Sequence, residues 1–244
     1  MTRFLTALIA LTFVGTFATA PLKAQEFSDA QKTEIQKMFN EYLSQSGEAI
    51  INSVNTFQAK QMEEQQAAAN EKAKGFIETI KKSDNNTIAG NPAGDVTIVE
   101  FFDYNCGYCR KALMEVEKLL EADKNVKFVF IDMPILGPQS MEASKWSLAA
   151  AKQNKYFDYH RAIMNHSGPK DESSLTKLAQ DLGLDVEQLK SDKDSPEIDA
   201  MIQKNLEQAT EIGIQGTPGF IIETEVARGY ITADQMQEMI KKFR

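Results

Sequence analysis

Cysteine is nearly absent from this chain: Cys106 and Cys109 are the only two in 244 residues. So small a number excludes a scaffold stapled by several disulfides. It also excludes a zinc site made from two thiol pairs, because zinc normally takes four ligands. Histidine is as scarce. His160 and His166 stand six residues apart, which does not put both on one helical face to complete a metal site. Positive charge is in deficit, with 27 Lys and Arg against 35 Asp and Glu and a net charge of −8. That balance argues against nucleic acid or anionic lipid as the main partner. Long apolar runs are missing as well. The run from Phe4 to about Phe17 is too short and too rich in threonine to favour a permanent membrane span.

What is present starts with Arg3, that apolar run, and small residues up to Ala24, the pattern of a cleaved secretory signal peptide. We expect cleavage after Ala24, with residues 1–24 as leader, leaving about 220 residues, enough for one core and an appendage. Losing Arg3 and Lys23 makes the chain more acidic still. Export to an oxidising compartment, the periplasm, would let a thiol pair serve as oxidant or reshuffler of disulfides as well as reductant.

The stretch from Asp95 to Lys111, DVTIVEFFDYNCGYCRK, carries the chemistry. Val96, Ile98, Val99, Phe101 and Phe102 read as a buried strand, broken at Asn105. Leu113, Val116, Leu119 and Leu120 then show helical spacing. The spacing places Cys106 at a helix N-terminus, where unpaired N–H groups and a partial positive charge favour its thiolate. Cys109, one turn on, can resolve a mixed disulfide formed at Cys106. A purely structural bridge would close too short a loop to restrict the unfolded chain much.

Upstream, Ser28 to Gln31 forms a capping box. Ile35, Met38, Phe39, Tyr42 and Leu43 make an apolar stripe, continued after Gly47 by Ile50, Ile51, Val54 and Phe57. The segment 25–57 is therefore expected to be helical and to self-associate as a dimer or trimer, since two such helices cannot hide their stripe alone. Residues 58–88 read as a helical linker, because Gln58 to Lys74 has almost no large apolar residue. The catalytic domain is expected over 89–244. Its second strand is Val126 to Ile131, giving a βαβ unit, and helices fill about 139–213. Short strands follow at Phe220 to Ile222 and from Val226, then a last helix capped by Thr232. Trp146, Tyr156, Phe157 and Tyr159 read as core, and His160 and His166 as surface or bonded core groups.

A Cys-x-x-Cys opening a helix, with Thr217-Pro218 before a late strand, resembles thioredoxin-fold proteins of the DsbA class, whose inserted helical domain the middle of this chain matches. Phe101 to Cys109 and Pro134-Ile135-Leu136-Gly137-Pro138 are similar to the suppressor-of-copper-sensitivity (ScsC) branch. The resemblance implies an α/β thioredoxin fold with that insertion, preceded by a helical oligomerisation segment. It implies Cys106 as nucleophile, Cys109 as resolving thiol, Glu100 as a buried acid able to shuttle the Cys109 proton, and Pro218 as a cis-proline preceded by Thr217. Thr217, Pro218, Gly107 and Tyr108 would meet the substrate. The implied activity is disulfide isomerisation on misoxidised secreted proteins, without cofactor or metal, kept reduced by a membrane thiol reductant. Two alternatives stay open: a monomeric dithiol oxidase, and a copper-binding protein using the same thiols. Two departures from the family pattern are Gly219 after the proline, expected to loosen that loop, and Gly107-Tyr108, which lacks the histidine of the strongest oxidases. The second leads us to expect a less stabilised Cys106 thiolate.

Overall fold

A computed structural model describes residues 26–83 and 87–244, so the expected leader lies outside the described residues. They form two compact units, one ending at Phe57 and the other Gln58–Arg244.

The first unit holds α1 (Asp29–Gln45) and the start of α2 (Gly47–Lys82). Ser28 caps α1: its hydroxyl accepts from the Gln31 N–H, and the Gln31 side chain accepts from the Ser28 N–H. No residue of α1 is buried. The whole stripe, from Ile35 to Leu43 and from Ile50 to Phe57, is exposed on the single chain.

The second unit is a five-stranded sheet between layers of helix. Its strands are β1 (Ile88–Gly90), β2 (Val96–Phe102), β3 (Val126–Asp132), β4 (Gly219–Ile222) and β5 (Glu225–Arg228), ordered β1-β3-β2-β4-β5. β2 and β3 are parallel, joined by α3 (Gly107–Ala122), and every other pairing is antiparallel. The remaining helices are α4 (Pro138–Ala151), α5 (Tyr156–Asn165), α6 (Glu172–Asp181), α7 (Val186–Lys193), α8 (Pro196–Ile212) and α9 (Ala233–Ile240). Every residue of β2 is buried, and alternation sorts them. Ile98 and Phe102 join the core with α3 and the inserted helices, whereas Val99 and Phe101 face Phe76, Ile77 and Ile80 of α2 and Ile212 of α8.

One segment departs from the expectation of an unpacked linker. From Gln66 onward α2 lies on the sheet, burying Ala69 and Ala73 together with Phe76 and Ile77. Asn70 Oδ1 accepts from the Val226 N–H at 2.9 Å, and Gln66 Nε2 donates to the Val226 carbonyl at 2.8 Å. Val226 sits on the edge strand β5, so these two amides occupy backbone groups that would otherwise invite another strand. A polar stretch can thus be a packed one, its contacts made by alanine and by side-chain amides. The strand β1 was also not expected; three residues are too few to show an alternation.

Candidate active site

β2 delivers its chain end to the site. Asp103 follows the strand and starts a turn in which the Cys106 N–H donates to the Asp103 carbonyl at 3.0 Å. That turn puts Cys106 in extended conformation at the N-cap of α3, where its sulfur accepts from the Cys109 N–H at 3.4 Å. Both thiols are unpaired and buried. Opposite them, the Thr217–Pro218 peptide is cis. β4 runs antiparallel to β2 with Gly219 beside Phe101, which carries Thr217 to the dithiol. The Cys106 thiol donates to the Thr217 carbonyl at 3.3 Å.

Hydrogen bonding decides the electrostatics of Cys106. Bonds from the Cys109 side chain, the Thr217 side chain and the backbone N–H groups of Cys109 and Tyr108 outweigh burial and lower it to about 5. Local donors stand where the histidine is absent and hold the Cys106 thiol well below an ordinary cysteine. Cys109 moves the other way: burial, its bond to Cys106 and the charge of Glu100 all raise it. The same helix start thus separates an ionised thiol from a protonated one.

Glu100 is buried at mid-strand, between Phe130 of β3 and Phe220 of β4. Alternation with Ile98 and Phe102 turns it to the α3 side of the sheet. Burial, then the charge of Cys106, holds its carboxyl well above the usual range. Gly107 has open space where a side chain would stand. Tyr108 is exposed, with its ring 6.4 Å from that of Tyr230 and the Lys111 ammonium 5.1 Å from its centroid. Gly219 is closely packed: a Cβ there would lie 2.6 Å from Ile214 Cγ2. Ile214 fills the space a side chain would take, so glycine is the residue that fits there.

His160 is a core group, its Nδ1 3.1 Å from the Tyr104 hydroxyl and its ring edge-on to Phe102. Burial pushes it down to about 3, so the imidazole stays neutral. Arg110, which sequence reasoning passed over, donates from Nε to the Met164 carbonyl at 2.8 Å and from Nη2 to the His166 carbonyl at 3.2 Å. It covers the C-terminal carbonyls of α5 and ties the inserted helices to the dithiol helix. Asp103 and Ser140, also passed over, are fully buried and joined by a 2.7 Å hydrogen bond next to the turn that leads to Cys106. An aspartate opening a turn three residues before Cys106 was the signal available. Among the described residues no cluster of three or more His, Cys, Asp or Glu side chains is arranged to hold a metal ion.

Three comparisons bear on this geometry. A family model described as Thioredoxin matches residues 82–242. The crystal structure of a thioredoxin-like oxidoreductase from Silicibacter pomeroyi DSS-3 is 43% identical with a TM-score of 0.62, over 64% of this chain and 90% of that one. The catalytic domain of Proteus mirabilis ScsC is 25% identical with a TM-score of 0.62, over 70% of this chain and 96% of that one. Among curated proteins, the Na(+)/H(+) antiporter NhaA of Herminiimonas arsenicoxydans is 27% identical over 158 residues, 64% of this chain and 25% of that protein. The chain therefore spans about a quarter of the length of the antiporters it matches, while among its described residues no helix is long and apolar enough to cross a membrane.

Proposed function

This chain belongs to the thioredoxin family, and from that premise we propose that it is a periplasmic thiol–disulfide oxidoreductase working as a disulfide isomerase on misoxidised secreted proteins. The observation that carries the reading is Cys106 at the N-cap of α3, lowered to about 5 and touching the Thr217 carbonyl. Ionisation of Cys106 frees the Thr217 carbonyl, 3.3 Å from the sulfur, to accept from the backbone N–H of an extended client segment while the thiolate attacks its disulfide.

In the proposed cycle the Cys106 thiolate attacks one sulfur of a client disulfide. That S–S bond breaks, a Cys106–client disulfide forms, and the second client sulfur leaves as thiolate. A client thiolate can then attack the mixed disulfide, forming the corrected bond and returning the Cys106 thiolate, with no net electron transfer. Alternatively Cys109 gives up its proton and attacks Cys106, releasing the client thiol two electrons reduced and leaving the Cys106–Cys109 disulfide. Glu100 is the acceptor we assign to that proton, being buried on the same side of β2 and electrostatically coupled to both sulfurs. The oxidised pair would need a membrane thiol reductant to re-enter the cycle. Gly107, Tyr108, Thr217 and Pro218 would line the path of the client segment.

Reactivation of scrambled, fully oxidised ribonuclease in glutathione buffer tests the reading: the protein beginning at Gln25 should restore activity several-fold faster than buffer alone. The competing assignment, a dithiol oxidase, is favoured by the same low value at Cys106, since a stabilised thiolate makes the disulfide form more oxidising. Rapid oxidation of reduced ribonuclease with no rescue of the scrambled form would decide for it.

The exposed stripe from Ile35 to Phe57 supports self-association as dimer or trimer. Sedimentation at micromolar concentration should give a multiple of the chain mass, and a monomer there would remove this part of the proposal.

A further inference from the structure

We propose that Asp103 is a positioning residue for the exchange reaction, its one carboxylate fixing the turn that carries Cys106 against an apolar lip formed by Ile135 and Leu136. The proposal rests on the thiol–disulfide reading and names a determinant of client choice at the same site.

The carboxylate is fully buried and takes four hydrogen bonds: one from its own turn, two from the loop after β3 and one from the first turn of α4. Oδ1 accepts from the Asn105 N–H at 2.7 Å and from the Ser140 hydroxyl at 2.7 Å. Oδ2 accepts from the successive N–H groups of Ile135 and Leu136 at 2.8 and 2.9 Å. The Asn105 amide closes the ring by donating to Ser140 Oγ at 2.9 Å. On the Cys106 side the Asp103 carbonyl holds the Cys106 N–H. Ile135 and Leu136 remain 42% and 52% exposed, although their backbone N–H groups are pinned to a residue three positions before the nucleophile.

Such an arrangement spends a buried carboxylate on the relative position of two loops. Neither loop needs four charge-assisted bonds merely to be a loop. The occupant that fits is an apolar side chain next to the client's disulfide cysteine: it would cover the lip while the sulfur reaches Cys106, continuing the contact that begins at Thr217. Asparagine cannot keep all four bonds: turned one way its NH2 meets the Ile135 and Leu136 N–H groups and the lip is released, and turned the other way it faces the Asn105 N–H and the Cys106 turn is loosened, although Ser140 Oγ can then accept. The groups that stabilise the Cys106 thiolate do not include the Asp103 side chain.

The test is a double-mutant cycle between Asp103→Asn and the lip change Ile135→Ser with Leu136→Ser, two exposed positions. Exchange rates are measured with a peptide disulfide carrying phenylalanine beside its cysteine and with glutathione disulfide. Each change should slow the peptide about tenfold and glutathione disulfide less than about threefold, and the two should not add on the peptide. Independent additive losses, or equal losses on both disulfides, overturn the proposal. Should Asp103→Asn not fold, Ser140→Ala takes its place, since it removes a donor to the same oxygen and the Asn105 link. Absence of exchange with either disulfide in the unchanged protein overturns the oxidoreductase reading and this proposal with it. Exchange without ribonuclease rescue overturns only the isomerase assignment.

Discussion

Changing Cys106 to alanine should bring disulfide exchange at pH 7 down to the rate of the buffer thiols, a loss on the order of a thousandfold or more, as deletion of a covalent nucleophile does elsewhere. Cys109→Ala should instead leave the first attack intact and trap clients as mixed disulfides on non-reducing gels. The pH dependence separates Cys106 from an ordinary thiol. Its value of about 5 makes the thiolate nearly complete by pH 6. There the ionised fraction exceeds that of a cysteine with pKa ~8.5 by about 300-fold, while the accompanying fall in nucleophilicity takes back about 40-fold. Cys106 should therefore react about sevenfold faster than a free cysteine at pH 6, and about 20-fold slower at pH 8.5, where the free thiol is half ionised. Iodoacetamide labelling read by mass spectrometry measures both arms. A Cys106 rate that keeps climbing to about pH 8 would contradict the hydrogen-bonded thiolate.

The parts of this site that were legible in the sequence are those that depend on local chain geometry. A strand, a broken turn and Cys-x-x-Cys at a helix start can be read from a dozen residues, and Thr217-Pro218 from two. The cis peptide, the buried Glu100 and the Thr217 contact with Cys106 then follow as the resemblance implied. What was not legible depends on long-range satisfaction of polar groups. Asp103 and Asp132 stand at strand ends, where acids ordinarily face water, and only the loops and helices packed around them make them buried acceptors. The stabilisation of Cys106 is only partly legible for the same reason. Its donors are backbone N–H groups and neighbouring side chains, which leave no mark in the dipeptide Gly107-Tyr108. Gln58 to Lys74 has almost no large apolar residue, yet Ala69 and Ala73 are buried and Gln66 and Asn70 engage β5. Close helix–sheet contact needs small side chains, and hydropathy scales give those little weight.

Asp132→Asn should make the protein about 3–4 kcal/mol more stable than the unchanged chain at pH 7.5, and no different at about pH 4. Asp132 ends β3 fully buried, accepting from the Tyr156 hydroxyl at 2.9 Å and the Ser147 hydroxyl at 3.1 Å. Burial outweighs these bonds and raises its carboxyl to about 7, against ~3.9 in an unfolded chain. Between those values the folded state holds a proton that the unfolded state has lost. Stability attributable to this group must therefore fall as pH rises, by about 1.4 kcal/mol per unit, until the folded carboxyl also ionises. Asparagine stays neutral throughout and loses little bonding. Ser147 Oγ already lies 3.0 Å from the Ser144 carbonyl, so its hydrogen can turn fully to it, leaving the oxygen to accept from the new amide. Glu100, also raised by burial, adds a slope of the same sign, and Cys106, lowered, one of the opposite sign. Both are common to the two chains and cancel in the difference. Urea unfolding at half-unit steps between about pH 4 and about pH 8 gives that difference directly. A constant offset would mean that the buried carboxyl is ionised in the fold throughout, and that Tyr156 and Ser147 compensate its charge more fully than burial penalises it.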